Sequence, residues 1–305
     1  MAGVTGKAQI DQAVEKFVAE SRYTLQERRG PIRSVINTVR LPENEGPSVN
    51  IPKYGTVTTS ALTEGVDMAQ AQQITDTGMV LTPSEYGAQV VLTDMMMMTV
   101  KDEFMGVASR ILADSFDRQQ DQTLCDDGAN FSVSLGSAGT AMNIGHLMAA
   151  EAAIKYGSPA AGAGRGGEPG PGTVHVFHTP AGFHPVKKGL SGQTGGAVVQ
   201  ASGGTANQPG SPPDPQGFSE NFMVGTVSCH TDINFNKDAS DDAIGIALVP
   251  DAWILVELGP AAGIETERDA SLRGTEVNYV GRWARGEYRD AWGKGMTFDS
   301  AAPTS

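Results

Sequence analysis

The stretch from Val100 to Asp127 places Phe104, Val107, Ala108, Ile111, Leu112, Ser115 and Phe116 at spacings of three and four, which is one stripe of an α-helix. Asp102, Glu103, Arg110, Asp114, Asp117 and Arg118 lie between them and suit a solvated or inter-subunit face. Asp114 precedes Arg118 by four positions and Glu103 precedes Arg110 by seven, the favourable acid-before-base order. Gly128, after Asp126 and Asp127, is expected to end the helix in the left-handed cap conformation. At ~1.5 Å per residue the helix is on the order of 40 Å long. Such a rod spans a domain, and sheets and loops have to pack against it.

Two β-prone runs precede it, Val49 to Thr58 and Met79 to Leu92, around a polar tip at Leu62 to Ala69. They predict a long two-stranded arm, with a break at Pro83 where a ladder donor is missing. An isolated two-stranded ribbon is marginal in water. The arm is therefore expected to find its partner on a neighbouring copy and not within its own subunit. Four adjacent methionines, Met95 to Met98, cannot share one helix face, and read as adaptable packing where strand turns into helix.

A chain of 305 residues can bury a sizeable core. Its 38 glycines and 17 prolines predict many turns. A formal net charge of −13 argues against non-specific adhesion to nucleic acid, which requires a basic surface. Two cysteines, Cys125 and Cys229, make no disulfide framework and no metal signature, in keeping with a reducing compartment. No secretory signal and no membrane span are expected.

Ala8 to Arg29 predicts an N-terminal helical arm stopped by Gly30-Pro31. Asn143 to Tyr156 predicts a shorter helix, and Val174 to His178 a buried strand. Ser191 to Gln216, rich in Gly, Ser and Pro, is expected as a mobile loop with no core of its own. Phe222 to Ile233 resumes β character, and Ala243 to Pro250 and Ala252 to Leu258 are two apolar runs around a turn. Gly263 to Asp269 and Val277 to Ser300 alternate, as a half-buried antiparallel sheet does.

Chemistry is scarce. His175, His178 and His184 concentrate potential metal ligands, but on a strand the first two point to opposite faces, and no known zinc spacing is present. They are expected to be structural or polar-core histidines. Gly162 to Gly167 lacks the ending of a phosphate-binding loop. The pairs Asp126-Asp127 and Asp241-Asp242 read as turns or solvated loops. No catalytic residue, cofactor or metal is expected.

The order of parts resembles the major capsid proteins of tailed bacteriophages, whose fold is shared with the herpesvirus capsid floor. Asn50 to Val57 with Leu62 to Gly65 resembles the first strand and tip of that family's extended loop, and Leu81 to Asp94 its returning strand. Val100 to Asp127 resembles its spine helix, Val174 to Pro180 the axial-lobe strand that runs into a helix, and Val277 to Asp299 its closing hairpin. The resemblance implies an α+β capsid fold with an N-terminal arm (1–48), an extended β-hairpin loop (49–99), a peripheral lobe with the spine helix (100–140), an axial lobe (141–250) whose mobile loop spans 191–217, and a closing sheet (251–305). It implies a subunit of hexamers and pentamers in an icosahedral head around double-stranded DNA, without sequence-specific DNA contact and without a membrane. A portal and a decoration protein are further implied partners. The chain lacks a long helical extension acting as a built-in scaffold, which with Met1 implies a separate scaffolding protein. Inter-subunit contacts are expected at Glu64, Asp67, Gln70 and Gln72 of the tip and at Glu103, Arg110, Asp114 and Arg118 of the helix. Two other readings compete: a tail, fibre, decoration or other β-rich binding component, and a hydrolase built on the three histidines.

Overall fold

A computed structural model describes residues 4–5, 30–41, 46–55, 71–74, 76–99, 104–157, 168–191, 199–201, 221–259 and 263–303, with positions 57, 59, 61 and 64. The N-terminal arm expected at Ala8 to Arg29, the Gly162–Gly167 loop and most of the 191–217 loop lie outside the described residues. The strands are β1 (Val4–Thr5), β2 (Asn37–Leu41), β3 (Val49–Tyr54), β4 (Asp76–Leu81), β5 (Ser84–Thr93), β6 (Ser134–Gly136), β7 (Val174–His178), β8 (Val199–Ala201), β9 (Asn221–Val224), β10 (Val227–Thr231), β11 (Asp242–Leu248), β12 (Trp253–Leu258), β13 (Gly263–Asp269), β14 (Gly274–Glu287) and β15 (Gly293–Asp299). Among the described residues the α-helices are α1 (Ile32–Val35), α2 (Asp94–Thr99), α3 (Phe104–Asp126), α4 (Ile144–Tyr156) and α5 (Pro180–Ser191).

One six-stranded sheet runs β1-β5-β14-β12-β2, with β13 also on β14. One seven-stranded sheet runs β6-β15-β11-β7-β10-β9-β8, and β3 and β4 form a separate ribbon. The long helix was legible, and its described part begins at Phe104, after α2, which holds the methionine run. Met96 is buried while Met95 and Met98 point outward, so the run does pack at a strand-to-helix junction. The buried row of α3 is Ala108, Leu112, Phe116, Gln120 and Leu124, a strict four-residue ridge. Phe116 meets Tyr279 at 5.1 Å between ring centroids, and Ala108 and Leu112 close over Leu92, Met96 and Val277. Packing on that ridge turns Ile111 outward, at 48% exposure, and leaves Ser115 exposed. Both were expected inside.

The expected arm is shorter than the pattern predicts. Among the described residues of the arm, β3 and β4 pair with each other, Val49 opposite Leu81 through Tyr54 opposite Asp76. After Pro83 the chain leaves the ribbon, and β5 pairs with β14 from Thr93↔Gly274 to Ser84↔Trp283. The ribbon is not without a partner in its own subunit either. Val49, Ile51, Met79 and Leu81 pack on Ile254 and Val256, and the Tyr288 hydroxyl donates to Pro52 O at 3.0 Å. Period-two alternation explains this: one face of the ribbon is apolar and the body's sheet supplies a surface for it. Its other face, with Asn50, Pro52, Tyr54 and Val80, is exposed.

The ends of the chain also pair otherwise than expected. β14 and β15 are not a hairpin, because β15 pairs with β11 in the seven-stranded sheet and β14 with β12 in the other. The strands β11 and β12, on either side of position 251, belong to different sheets. β5, on the loop side of the boundary expected at 99, belongs to the six-stranded sheet, and β15, within the closing sheet expected at 251–305, belongs to the seven-stranded one. The two crossings lie side by side: Val249 N donates to Trp292 O at 3.2 Å, and Tyr288 N and Arg289 N donate to Ala252 O at 2.8 and 3.2 Å. One buried cluster spans both sheets, with Trp253, Leu255 and Trp283 beside Phe177, Phe183 and Phe298. Fully burying such large side chains contributes ~1.5–3 kcal/mol each.

Local signals are otherwise honoured. Asn143 caps α4, accepting from His146 N at 3.1 Å while His146 Nδ1 accepts from Asn143 N at 3.2 Å. Gly128 does not take the left-handed conformation. It is buried in a 3-10 turn under β11, where a Cβ would lie 2.5 Å from Ile246 Cγ1, so close approach and not backbone handedness requires it.

Candidate assembly surface and polar clusters

The expected contact residues fall on two separate features. Glu64 and Gln72 are exposed in the stretch joining β3 to β4, and Arg110 is exposed on α3. Asp114 and Arg118 are half-buried and each engaged in polar contacts. Asp67, Gln70 and Glu103 lie outside the described residues. Around these sites sit apolar side chains that one subunit does not cover: Tyr54, Val57, Ile74 and Val80 on and beyond the ribbon, and Met95, Met98 and Ile111 on α2 and α3. Met98 is 83% exposed.

Several acids read as solvated are engaged. Asp127 is gripped by Arg285 through Nε and, at 2.9 Å, through a terminal guanidinium nitrogen. Asp242 is buried and accepts from Gly139 N at 2.7 Å. Asp241 stays exposed with a positive φ of 62°, a turn position as expected. Arg33 joins α1 to α3 and β12, pairing with Asp117 at 3.3 Å and with Glu257.

Asp121, Cys125 and Asp232 form a cluster that the sequence did not reveal. All three are buried, and one potential ligand atom from each lies within 4.8 Å of the others. The Cys125 thiol points between the carboxylates, 3.9 Å from Asp121 Oδ2 and 3.8 Å from Asp232 Oδ2. Asn234 bridges them, its amide donating to Asp121 Oδ2 and its backbone N to Asp232 Oδ1, both at 2.8 Å. Burial, then the charges of Asp232 and Asp121, push the Cys125 thiol well above its usual range, so it is a neutral donor here. The spacing Asp121–Cys125 on one helix face was readable, but Asp232 lies more than a hundred positions away.

The histidines separate as strand geometry requires. His178 is fully buried against Phe183, Phe235 and Phe298, and burial lowers its pKa to about 4. His184 is half-buried on α5. His175 instead meets His230, its Nδ1 3.0 Å from His230 Nε2. A cavity of 270 Å³ lies beside Cys125, Lys237, Asp238, Asp242 and Thr297.

This architecture has known counterparts. No protein-family model matches the chain, and neither does any curated protein. Among solved structures, the acid-stable capsid of Helicobacter pylori bacteriophage KHP30 superposes with a TM-score of 0.70 at 9% identity, over 97% of each chain. Mycobacterium phage Che8 gives 0.58 at 15% identity, over 95% of this chain and 99% of that one. The SrpI encapsulin of Synechococcus elongatus gives 0.62 at 8% identity, over 99% of both. The chain has the α+β fold of phage capsid proteins over nearly its whole length.

Proposed function

We propose that this chain is a major capsid protein that assembles into the hexamers and pentamers of an icosahedral phage head around double-stranded DNA. The observation that carries the reading is full-length agreement of the fold with phage capsid structures, covering 95–97% of this chain in each of five cases. The exposed ribbon face and the exposed methionines of α2 support it. In this reading the ribbon of one copy lies over α2 and α3 of the next, where Glu64, Asp67, Gln70 and Gln72 come near Glu103, Arg110, Asp114 and Arg118. Obligate contacts of this kind bury ~2,000 Å² or more. The six-stranded sheet with α3 forms the peripheral lobe and the seven-stranded sheet the axial lobe. The role is mechanical and not enzymatic, and it places the protein in the virion. The net charge of −13 disfavours tight adhesion of packaged DNA to the shell. A scaffolding protein, a portal and a decoration protein are the partners this role calls for.

Electron microscopy of the protein expressed alone and with its scaffolding partner tests the reading. Closed shells support it, whereas trimers, fibres or a monomer at high concentration overturn it. The encapsulin neighbour favours one second reading, a shell of the encapsulin kind and not a phage head. Nucleic acid content of purified shells from infected cells separates the two.

A further inference from the structure

We propose that His175 and His230, with Ser228 beside them, form a binding site for a borderline divalent transition-metal ion such as Zn²⁺ or Ni²⁺. The two histidines come from neighbouring parallel strands, with His175 opposite Ser228 and His230 opposite Phe177 in the β7–β10 register. These four side chains share one face of the sheet, since directly opposite residues point the same way. On β9, Asn221 lies opposite His230. The His230 ring is held twice: Nδ1 is 3.1 Å from Asn221 Oδ1, and the ring stacks on Phe177 with centroids 4.9 Å apart at 17°.

Donation from Nδ1–H to Asn221 sets the tautomer and leaves the Nε2 lone pair free of a proton. That is how proteins prepare a ligating imidazole, with an oxygen acceptor on its far nitrogen. The prepared lone pair points at His175 Nδ1 and at Ser228 Oγ, each 3.0 Å away. Two nitrogens ~2.1 Å from one zinc ion at a tetrahedral angle are about 3.4 Å apart. To admit an ion the pair opens by a few tenths of an ångström, and each ring turns its ligating nitrogen about 35° off the N···N line toward a shared apex. His175 moves its proton from Nδ1 to Nε2 as it ligates, so no net proton is released. Both rings are half-buried, and ion and completing waters can reach them, unlike His178. Burial lowers the pKa of both rings, that of His230 to about 4, which keeps them neutral at physiological pH.

The rival donor set, Asp121–Cys125–Asp232, contains sulfur, which makes the two distinguishable on the unsubstituted protein. Full-length protein is titrated with ZnCl₂, and the zinc-loaded sample is measured by X-ray absorption at the zinc edge. The site predicts saturable binding and a shell of two imidazole nitrogens with oxygens. Absence of saturable binding, or a sulfur in the shell, overturns it. His175→Gln and His230→Asn are each expected to weaken Zn²⁺ at least tenfold, while His184→Gln leaves it unchanged. Equal affinity in both of the first two variants also overturns the assignment. None of these readings depends on shell assembly.

Discussion

Arg285 of β14 holds Asp127, just beyond the end of α3, through two guanidinium nitrogens. The contact raises the guanidinium's pKa, with the Asp127 hydrogen bond as the largest cause. It fastens the long strand that runs through the six-stranded sheet to the helix end that lies under β11 of the other sheet. Replacing Arg285 by Ala removes two guanidinium donors from a half-buried carboxylate and leaves it Asn130 Nδ2 at 3.0 Å, at a cost of ~1–3 kcal/mol. Chemical denaturation of the unassembled subunit measures this, with Arg282→Ala, whose pair with Glu85 is exposed, as a near-neutral control.

Two glycines should respond to alanine in opposite directions. At Gly30 a Cβ would come within 2.0 Å of Asp121 Oδ2 and 2.1 Å of Asp232 Oδ2, both buried, so Gly30→Ala is expected to destabilise by ~1–3 kcal/mol through overpacking. At Gly106, inside α3, a Cβ meets nothing within 4 Å. Gly106→Ala is expected to stabilise by ~0.5–1 kcal/mol. Thermal unfolding of the two variants against the parent decides both.

Stability should fall on acidification partly through His178. Its folded pKa, about 4, lies below the unfolded value of ~6.5. Between those values the unfolded chain binds more protons, so stability rises with pH across that window and is complete above it. The difference in unfolding free energy between the parent and His178→Gln should shrink as pH drops from 7 to 4. A difference independent of pH would refute the assignment, whatever the buried carboxylates do in parallel.

Both cysteines are buried and unpaired by disulfide. Burial pushes Cys229 up to about 12 and Cys125 well above its usual range. Thiolate-directed reagents should leave the native protein unlabelled and modify both residues at the rate of unfolding. Mass spectrometry over a denaturant series reads this directly.

The assembly surface predicts a separation of phenotypes. Val80→Asp and Met98→Asp alter side chains that are largely exposed in the subunit, so subunit stability should change by about 0.5 kcal/mol or less. Shell formation should nonetheless fail, as it should on shortening Glu64 to Ile74. Normal particles by electron microscopy from all three would remove the ribbon's assigned role.

What could be read from the residues alone was whatever short-range periodicity controls. The spine helix, the capped α4, the buried strand at Val174–His178, the methionine junction after β5 and the interruption at Pro83 all follow from spacing, propensity and one missing donor. The opposite facing of His175 and His178 follows from the pleat. Tertiary structure alone decided the pairings between distant segments: β5 with β14 instead of β3, β15 with β11 instead of β14, His230 with His175, and Asp232 with Asp121 and Cys125. An alternating strand announces which of its faces is apolar, but not which of several apolar surfaces will cover it. That choice is made by the whole core at once, and so the ribbon came to rest on Ile254 and Val256, with only its outer face left for another molecule.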